Sequence, residues 1–277
     1  MKTAILTGID GCGKSTLVRQ LYEEYGTDPA IGIVACPSYH HIPGSGKERL
    51  SLLLEKLNEL GNRHRVSDLK ALALYLQMSL YSPVLQKISA DPCCTLVISE
   101  RHALIDTVVY GSMYAKKITG SIDKQTWQPV IEKELNVIYP GGFDEIQEWI
   151  VYLDRSTGGQ HDFWNYTGFL KNLFTTSPRR IIAVLSDFFH LQLPDQVCFL
   201  AIEPDTAIAR LQKRDKQLEL HERTDILQAL QRTYLQLLDI LTCISPAMDI
   251  TILNESDYCQ VKNCLHLTSI NLNHETQ

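Results

Sequence analysis

The sequence lacks any long apolar run, since no stretch approaches the roughly 18 uninterrupted apolar residues of a membrane-spanning helix. It has 15 glycines and 11 prolines in 277 residues, far too few for a collagen-like chain. Its apolar fraction of 44% is too high and its charged fraction of 21% too low for a disordered chain. The first residues have the pattern of a folded segment and not of a targeting segment, so we expect a soluble, cytoplasmic protein.

Positive charge is also in short supply, because 26 Lys and Arg face 32 Asp and Glu and leave a formal charge of −6. We therefore expect neither nucleic acid nor an anionic membrane as a partner. The eight cysteines include no C-x-x-C pair, and the nine histidines no H-E-x-x-H. Several cysteines lie in apolar runs, so we expect most of them to be buried thiols. The neighbours His40 and His41 are predicted to lie in a polar loop.

Short apolar runs alternate with segments of helical period. Apolar runs without polar alternation are typical of parallel strands that are buried on both faces. Strands are predicted at 3–7, 31–35, 94–99, 197–202 and 249–253. Helices are predicted at 47–60, ended by Gly61, and at 66–88, with a kink or break at Pro83. This alternation favours an α/β fold with a P-loop NTPase-type parallel sheet flanked by helices.

The segment 120–194 departs from that alternation. It consists of helix-like pieces separated by turn-rich stretches, and it contains all three tryptophans, which need buried surroundings. No flexible linker brackets it. We therefore predict a single domain spanning 1–277, with 120–194 as a helical insertion.

A glycine-rich loop between the first strand and the first helix matches G-x-x-x-x-G-K-[ST]. Glycines let the backbone N–H groups turn toward phosphate oxygens, and the helix that follows directs its positive end to the same place. Within this P-loop Lys14 can reach the β- and γ-phosphates, and the Ser15 hydroxyl can bind Mg²⁺. The predicted nucleotide-binding residues are Gly8, Gly11, Cys12, Gly13, Lys14, Ser15 and Thr16.

Glu100 and Arg101 follow the third predicted strand directly. The carboxyl ends of parallel strands are where ligands bind in open α/β sheets. A carboxylate at this point can hold Mg²⁺, and an arginine can bracket the oxygens of a phosphoryl group in transfer. The alternative is a surface ion pair at a strand end.

A basic run follows the fourth strand, with Arg210, Lys213, Arg214 and Lys216 on or after a helix. Arginines on a closing lid can stabilise the charge that phosphoryl transfer creates on the equatorial oxygens. A solvated helix end with cations near its C-terminus is an equally good interpretation of this run alone.

Taken in order, these motifs resemble the thymidylate kinase family of P-loop nucleoside-monophosphate kinases. The resemblance rests on Asp10 inside the loop, Glu100-Arg101-His102, Tyr110-Gly111, the segment 194–210 and the helical stretch 222–238. It implies that ATP and Mg²⁺ bind at Lys14, Ser15 and Thr16, that Arg101 contacts phosphate groups, and that Asp10 lies near the acceptor. It also implies a lid at 210–224 with Arg210 and Arg214 as catalytic cations, a nucleoside-monophosphate acceptor, nominally dTMP, and a homodimer.

The acceptor side departs from the family pattern. The segment 36–41, after the second strand, contains no arginine, and a second family arginine aligns near Ser79. Glu100 in place of Asp resembles deoxynucleoside kinases, which phosphorylate a hydroxyl and need a base for its proton. Asp10 and Glu100 are both candidates for that base, as Glu100 is also for Mg²⁺. Two alternatives therefore stay open: a kinase for a hydroxyl of a nucleoside or another metabolite, and an ATP-binding protein without efficient transfer.

Overall fold

The structure, a computed structural model, describes residues 1–155, 159–214 and 222–267. The chain divides into two units. One, called here the sheet unit, comprises the described residues of Met1–Ala35, Ser89–His102 and Leu193–Gln277. The other, the helical unit, comprises those of Cys36–Ile88 and Ala103–Gln192.

The described elements alternate along the chain as the sequence predicts for an α/β protein. The strands are β1 (Lys2–Gly8), β2 (Ile31–Ala35), β3 (Leu96–Glu100), β4 (Gln196–Leu200) and β5 (Asp249–Leu253). The helices are α1 (Lys14–Tyr25), α2 (Glu48–Arg63), α3 (Ser67–Ser79), α4 (Tyr81–Ile88), α5 (Ala103–Tyr114), α6 (Lys124–Ile138), α7 (Gly142–Arg155), α8 (Tyr166–Phe174), α9 (Pro178–Phe189), α10 (Pro204–Gln212), α11 (Thr224–Ile244) and α12 (Tyr258–Cys264). In the part of the chain that the structure describes, no helix is both long enough and apolar enough to cross a bilayer.

The five strands of the sheet unit form one parallel sheet in the order β2-β3-β1-β4-β5. The inner strands β1 and β4 are almost wholly buried, as their unbroken apolar runs require. Helices pack on the sheet, as where Tyr234 of α11 meets Phe199 of β4 with ring centroids 5.4 Å apart. The predicted parallel α/β fold of P-loop NTPase type is confirmed.

The register of the sheet decides which residues meet at its carboxyl edge. β1 pairs with β3 so that Leu6 lies opposite Glu100, and with β4 so that Gly8 lies opposite Leu200. The residues that follow β1 and β3 therefore lie next to each other at the carboxyl edge of the sheet.

The helical unit contains α2 to α9, and the described residues of 120–194 supply α6 to α9 of it. Its core is rich in aromatic residues, with Phe143, Phe163 and Trp164 in mutual ring contact. The buried Asp68 carboxylate at the start of α3 accepts hydrogen bonds from the backbone N–H groups of Thr119 and Gly120. The assignment of 120–194 as an insertion within a single domain stays a prediction.

One predicted helix boundary is wrong, because α2 does not end at Gly61 but continues to Arg63. The segment 66–88 forms two helices with Leu80 between them, so the predicted kink or break is a break, three residues before Pro83. Pro83 is the cause, since it has no N–H to donate to the carbonyl of Ser79, four residues earlier, and is tolerated in the first turn of α4.

The expectation of buried thiols is only half right. The structure describes all eight cysteines and joins none of them in a disulfide. Cys12, Cys36, Cys94 and Cys198 are buried, whereas Cys93, Cys243 and Cys259 are exposed. The exposed ones lie at a turn or on the outer side of α11 and α12, where a cysteine next to apolar residues in sequence still faces outward.

His40 and His41 belong to a short 3-10 helix, and His40 Nε2 lies 3.1 Å from Glu55 Oε2.

Gly61 allows α2 and α3 to approach closely, and this defines a stability test. A Cβ atom there would lie 2.7 Å from the backbone nitrogen of Lys70, which cannot move away as a flexible side chain would. Overpacking of this kind costs about 1–3 kcal/mol, more than the roughly 1 kcal/mol that alanine gains over glycine in a helix. The difference between these two effects is a loss of up to about 2 kcal/mol, so we expect Gly61→Ala to lower the free energy of unfolding by about 1 kcal/mol in urea denaturation.

A matched control is Lys133→Ala, at an exposed position of α6. It should change the free energy of unfolding by less than about 0.5 kcal/mol. If Gly61→Ala proves as stable as the unaltered protein, the close contact between α2 and α3 is not as described here.

Candidate functional site

The P-loop is shaped by glycines between β1 and α1. Gly8, Gly11 and Gly13 have φ values of 148°, 80° and 101°, which side chains other than glycine adopt only with strain. A Cβ on Gly11 would lie 2.5 Å from the carbonyl oxygen of Ala207 in α10. The loop therefore needs glycine both for its turn and for its close packing within the sheet unit.

Lys14 begins α1, and its side chain folds back over the loop. Its Nζ donates hydrogen bonds to the carbonyl oxygens of Gly8 at 2.8 Å and Ile9 at 2.7 Å, and lies 3.4 Å from the Sγ of the buried Cys12. Only 4% of Lys14 is exposed. The carbonyl partners of this buried ammonium are neutral, and an anion entering the loop can replace them.

Ser15 and Glu100 form the oxygen pair that the sequence predicts as a magnesium site. Ser15 Oγ donates a hydrogen bond to Glu100 Oε1 at 2.7 Å, while Thr16 lies exposed beside it in the first turn of α1. Mg²⁺ in nucleotide sites commonly takes one or two protein oxygens and completes its shell with phosphate and water oxygens. The donor set at the end of β3 fits such an ion.

Asp10 and Arg101 form an ion pair through Arg101 Nη2 and Asp10 Oδ1, largely screened from solvent. The backbone of Arg101 is in the left-handed region, with a φ of 69°. Its N–H donates to the Leu6 carbonyl at 3.0 Å, and its own carbonyl accepts from Ser99 Oγ at 2.8 Å. A non-glycine residue is held in this conformation only by such surroundings, and strain of this kind concentrates at functional sites.

Arg210 reaches the loop from α10. Its Nη1 donates to the carbonyl oxygen of Cys12 at 3.3 Å and lies 3.2 Å from Ser256 Oγ. Ser256 was not predicted from the sequence. A signal for it was present, because Ser256 follows β5 and the carboxyl ends of parallel strands lie at the same edge of the sheet. A Cβ on Gly13 would lie 3.0 Å from the Cβ of Ser256, so this residue forms part of the loop's wall.

Arg214, the second predicted lid arginine, has a different partner. It forms an ion pair with the buried carboxylate of Glu222 and, among the described residues, no bond to the P-loop. The rest of the predicted lid, 215–221 with Lys216, lies outside the described residues. The structure thus brings Arg210 to the loop and leaves Arg214 in a separate pair.

The acceptor-side positions singled out in the sequence lie in the helical unit and are engaged there. Ser79 is buried, donates to the Leu76 carbonyl at 2.7 Å and accepts from Trp149 Nε1 at 2.7 Å. In the segment 36–41 the buried Tyr39 donates its hydroxyl proton to Cys36 Sγ at 3.0 Å. The partnership of Trp149 with Ser79 had no signal in the sequence, because 70 residues separate the two.

The parallel sheet, the glycine loop after its central strand and the charged groups at its carboxyl edge together define an α/β fold of P-loop NTPase type. Among solved structures, the chain is similar to the thymidylate kinase of Candida albicans, with a TM-score of 0.51 and 17% sequence identity. The match covers 99% of this chain and 93% of that one. No family model and no curated protein sequence matches the chain. At this level of identity the likeness establishes the fold.

The left-handed backbone of Arg101 predicts opposite rankings for two substitutions that remove the same side chain. Arg101→Ala keeps the backbone strain, whereas Arg101→Gly releases it. An L-residue in this region costs roughly 1–2 kcal/mol, so the glycine variant should be more stable than the alanine variant by about 1 kcal/mol in urea denaturation. Equal stabilities, or a more stable alanine variant, would contradict the conformation described for Arg101.

Proposed function

We propose that this protein is an ATP-dependent phosphotransferase of nucleotide-kinase type, with a nucleoside monophosphate, nominally dTMP, as its small-molecule acceptor. The observation that carries the proposal is the convergence of Lys14, Ser15, Glu100 and the Asp10–Arg101 pair at the ends of two adjacent parallel strands. A homodimer and a cytoplasmic location belong to the same proposal through the family resemblance.

The P-loop supplies the binding of the triphosphate. Backbone N–H groups of the loop and the N-terminus of α1 attract phosphate oxygens, and Lys14 exchanges its carbonyl partners for the β- and γ-phosphates. Ser15 and Glu100 would hold Mg²⁺, which when bound neutralises charge on the phosphates. Phosphoryl transfer is accelerated mainly by such positioning and charge stabilisation.

Arg101 and Arg210 supply the remaining positive charge. The carboxylate of Asp10 holds the Arg101 guanidinium in place, so that little reorganisation is needed when phosphoryl oxygens approach. Arg210 lies against the loop backbone at Cys12 and can turn to the phosphates, while Arg214 would first have to leave Glu222. We therefore assign the larger catalytic effect to Arg101 and Arg210.

Two substitutions test these roles separately. Lys14→Ala removes the ammonium that meets the phosphates and should abolish measurable ATP binding in calorimetry. Arg101→Ala should lower the rate of ADP release by 10²-fold or more with little change in ATP affinity, because its charge acts mainly in the transition state.

Arg19→Ala serves as the control for both, since Arg19 lies on the exposed side of α1, where it forms a surface ion pair with Glu23 at 3.9 Å. It should leave ATP binding and turnover unchanged. An unaltered turnover in Arg101→Ala would show that this residue does not act on the transferring group.

A second candidate function is transfer to a hydroxyl group of a nucleoside or another metabolite. It is favoured by the acceptor side, where the position near Ser79 is taken by the hydrogen bond from Trp149 and the segment 36–41 offers no arginine. Each missing charge-assisted hydrogen bond would forfeit roughly 1.5–3 kcal/mol of binding to an acceptor phosphate. A hydroxyl acceptor needs a base instead, for which Asp10 and Glu100 are the candidates.

A coupled assay of ADP release against nucleosides and their monophosphates separates the candidates. Stimulation by monophosphates, with dTMP among them, supports the first. Stimulation by nucleosides alone overturns the first and supports the second. If ATP binds in a Lys14-dependent manner and no acceptor raises ADP release above background, the protein binds ATP without efficient transfer and both kinase proposals fail.

A further inference from the structure

The helical unit contains a cleft of about 530 Å³, and none of the residues assigned above to phosphotransfer lines it. Its walls are the beginning of α2, from Gly46 to Leu50, Pro83 of α4, and one face of α7. This volume lies within the usual range of small-molecule sites, about 300–1,000 Å³. The α7 wall lies within the segment 120–194 and contributes Glu145, Glu148, Trp149 and Tyr152.

Lys47 provides positive charge inside this cleft. Its Nζ lies 4.4 Å from the ring centroid of Trp149, and among the described residues it has neither a hydrogen bond nor an ion pair. Burial lowers the pKa of Lys47, and the carboxylate of Glu145 opposes that shift only in part. An ammonium in this situation gains from an anionic partner.

The neighbouring cation of the cleft, Arg49, already has partners within the protein. Arg49 forms an ion pair with Glu145, at 2.6 Å between Nε and Oε2, and donates to the carbonyl of Pro140 at 3.3 Å. Its guanidinium also lies 4.6 Å from the ring of Tyr139. Lys47 is therefore the cation of this cleft that can take an anionic group from outside.

Two aromatic rings provide a flat surface beside Lys47. Tyr152 stacks on Trp149 with centroids 4.9 Å apart and an angle of 21° between the rings. The hydrogen bond from Trp149 Nε1 to Ser79 fixes the inner ring, whereas Tyr152 is 58% exposed. Rigid exposed aromatic rings bind flat ligands at little entropic cost.

The rim also carries negative charge, which restricts the ligand. Glu148 is exposed, and the Glu48 carboxylate accepts hydrogen bonds from backbone N–H groups, first its own, which lowers the pKa of Glu48. Both carboxylates repel a ligand that is anionic along its whole length. The geometry suits a ligand whose negative charge is confined to one end.

We propose that this cleft binds an organic anion with a flat ring, its anionic group on Lys47 and its ring against the exposed ring of Tyr152, which Trp149 supports from behind. The proposal does not depend on phosphotransfer at the P-loop. A ring-bearing phosphate could reach the cleft either as the phosphoryl acceptor or as a separate effector, and the experiment below distinguishes these two sources.

The test is calorimetric titration of the full chain with matched pairs of probes. The anionic probes are 1-naphthyl phosphate, AMP and dTMP, and the neutral ones are 1-naphthol, adenosine and thymidine. At least one anionic probe should bind tenfold or more tightly than its neutral counterpart. Lys47→Met should weaken that binding tenfold or more, and Tyr152→Ala, at an exposed position, fivefold or more.

Lys124→Met is the matched control, because Lys124 also lies near a tryptophan ring, at 6.0 Å from Trp164, but does not line the cleft. Lys124→Met should leave the affinity for the probe unchanged. Lys14→Ala should also leave it unchanged, and that result would exclude the P-loop as the place where the probe binds. The proposal is overturned if no probe binds, if Lys47→Met binds as well as the unaltered protein, or if Lys124→Met is weakened equally.

ADP release identifies the source of the ligand. If the bound probe is phosphorylated and Lys47→Met raises its KM, the cleft receives the acceptor. If the probe binds through Lys47 without being consumed, the cleft receives an effector. Either result supports the binding site, and a protein that never releases ADP would contradict the proposed function while leaving the titrations valid.

Discussion

The parallel pairing of β1 with β3 is the constraint on which the candidate site depends. The two strands are some 90 residues apart in the chain, yet their register places Leu6 opposite Glu100 and joins the Arg101 N–H to the Leu6 carbonyl. That single alignment brings the P-loop with Lys14 and Ser15 beside the carboxylate of Glu100. A shift of one residue would turn Glu100 to the other face of the sheet and separate it from Ser15.

The cations of the candidate site are held by groups of the protein itself. Lys14 is bound to carbonyl oxygens and Arg101 to the carboxylate of Asp10. The proposed binding of a polyphosphate is therefore compatible with a formal charge of −6. Local cations and backbone N–H groups decide the attraction at contact distance, whereas the net charge acts over a longer range and is screened by salt.

The helical unit shows how close packing uses residues that look unremarkable in the sequence. Gly61 lets α3 lie against α2, and Trp149 reaches Ser79 from a helix 70 residues further along. The same helix α7 places Trp149 and Tyr152 beside Lys47. The segment 120–194 thus supplies a hydrogen-bond donor to Ser79 and one wall of the cleft beside Lys47.

The amino-acid sequence by itself determined the parallel α/β fold, the positions of β2 and β5, and the glycine loop after β1, because these follow from apolar runs, glycines and local spacing. It also indicated Glu100 and Arg101, since strand ends in parallel sheets converge, and Asp10 through the family resemblance. The tertiary structure alone decided the contacts between distant segments: Ser256 at Gly13, Trp149 at Ser79, Arg214 at Glu222 and the approach of α2 to α3. The continuation of α2 past Gly61 to Arg63 belongs to the same group. The physical reason is that a side chain's partner across the fold is set by packing and register, which leave no periodic signal within the segment itself.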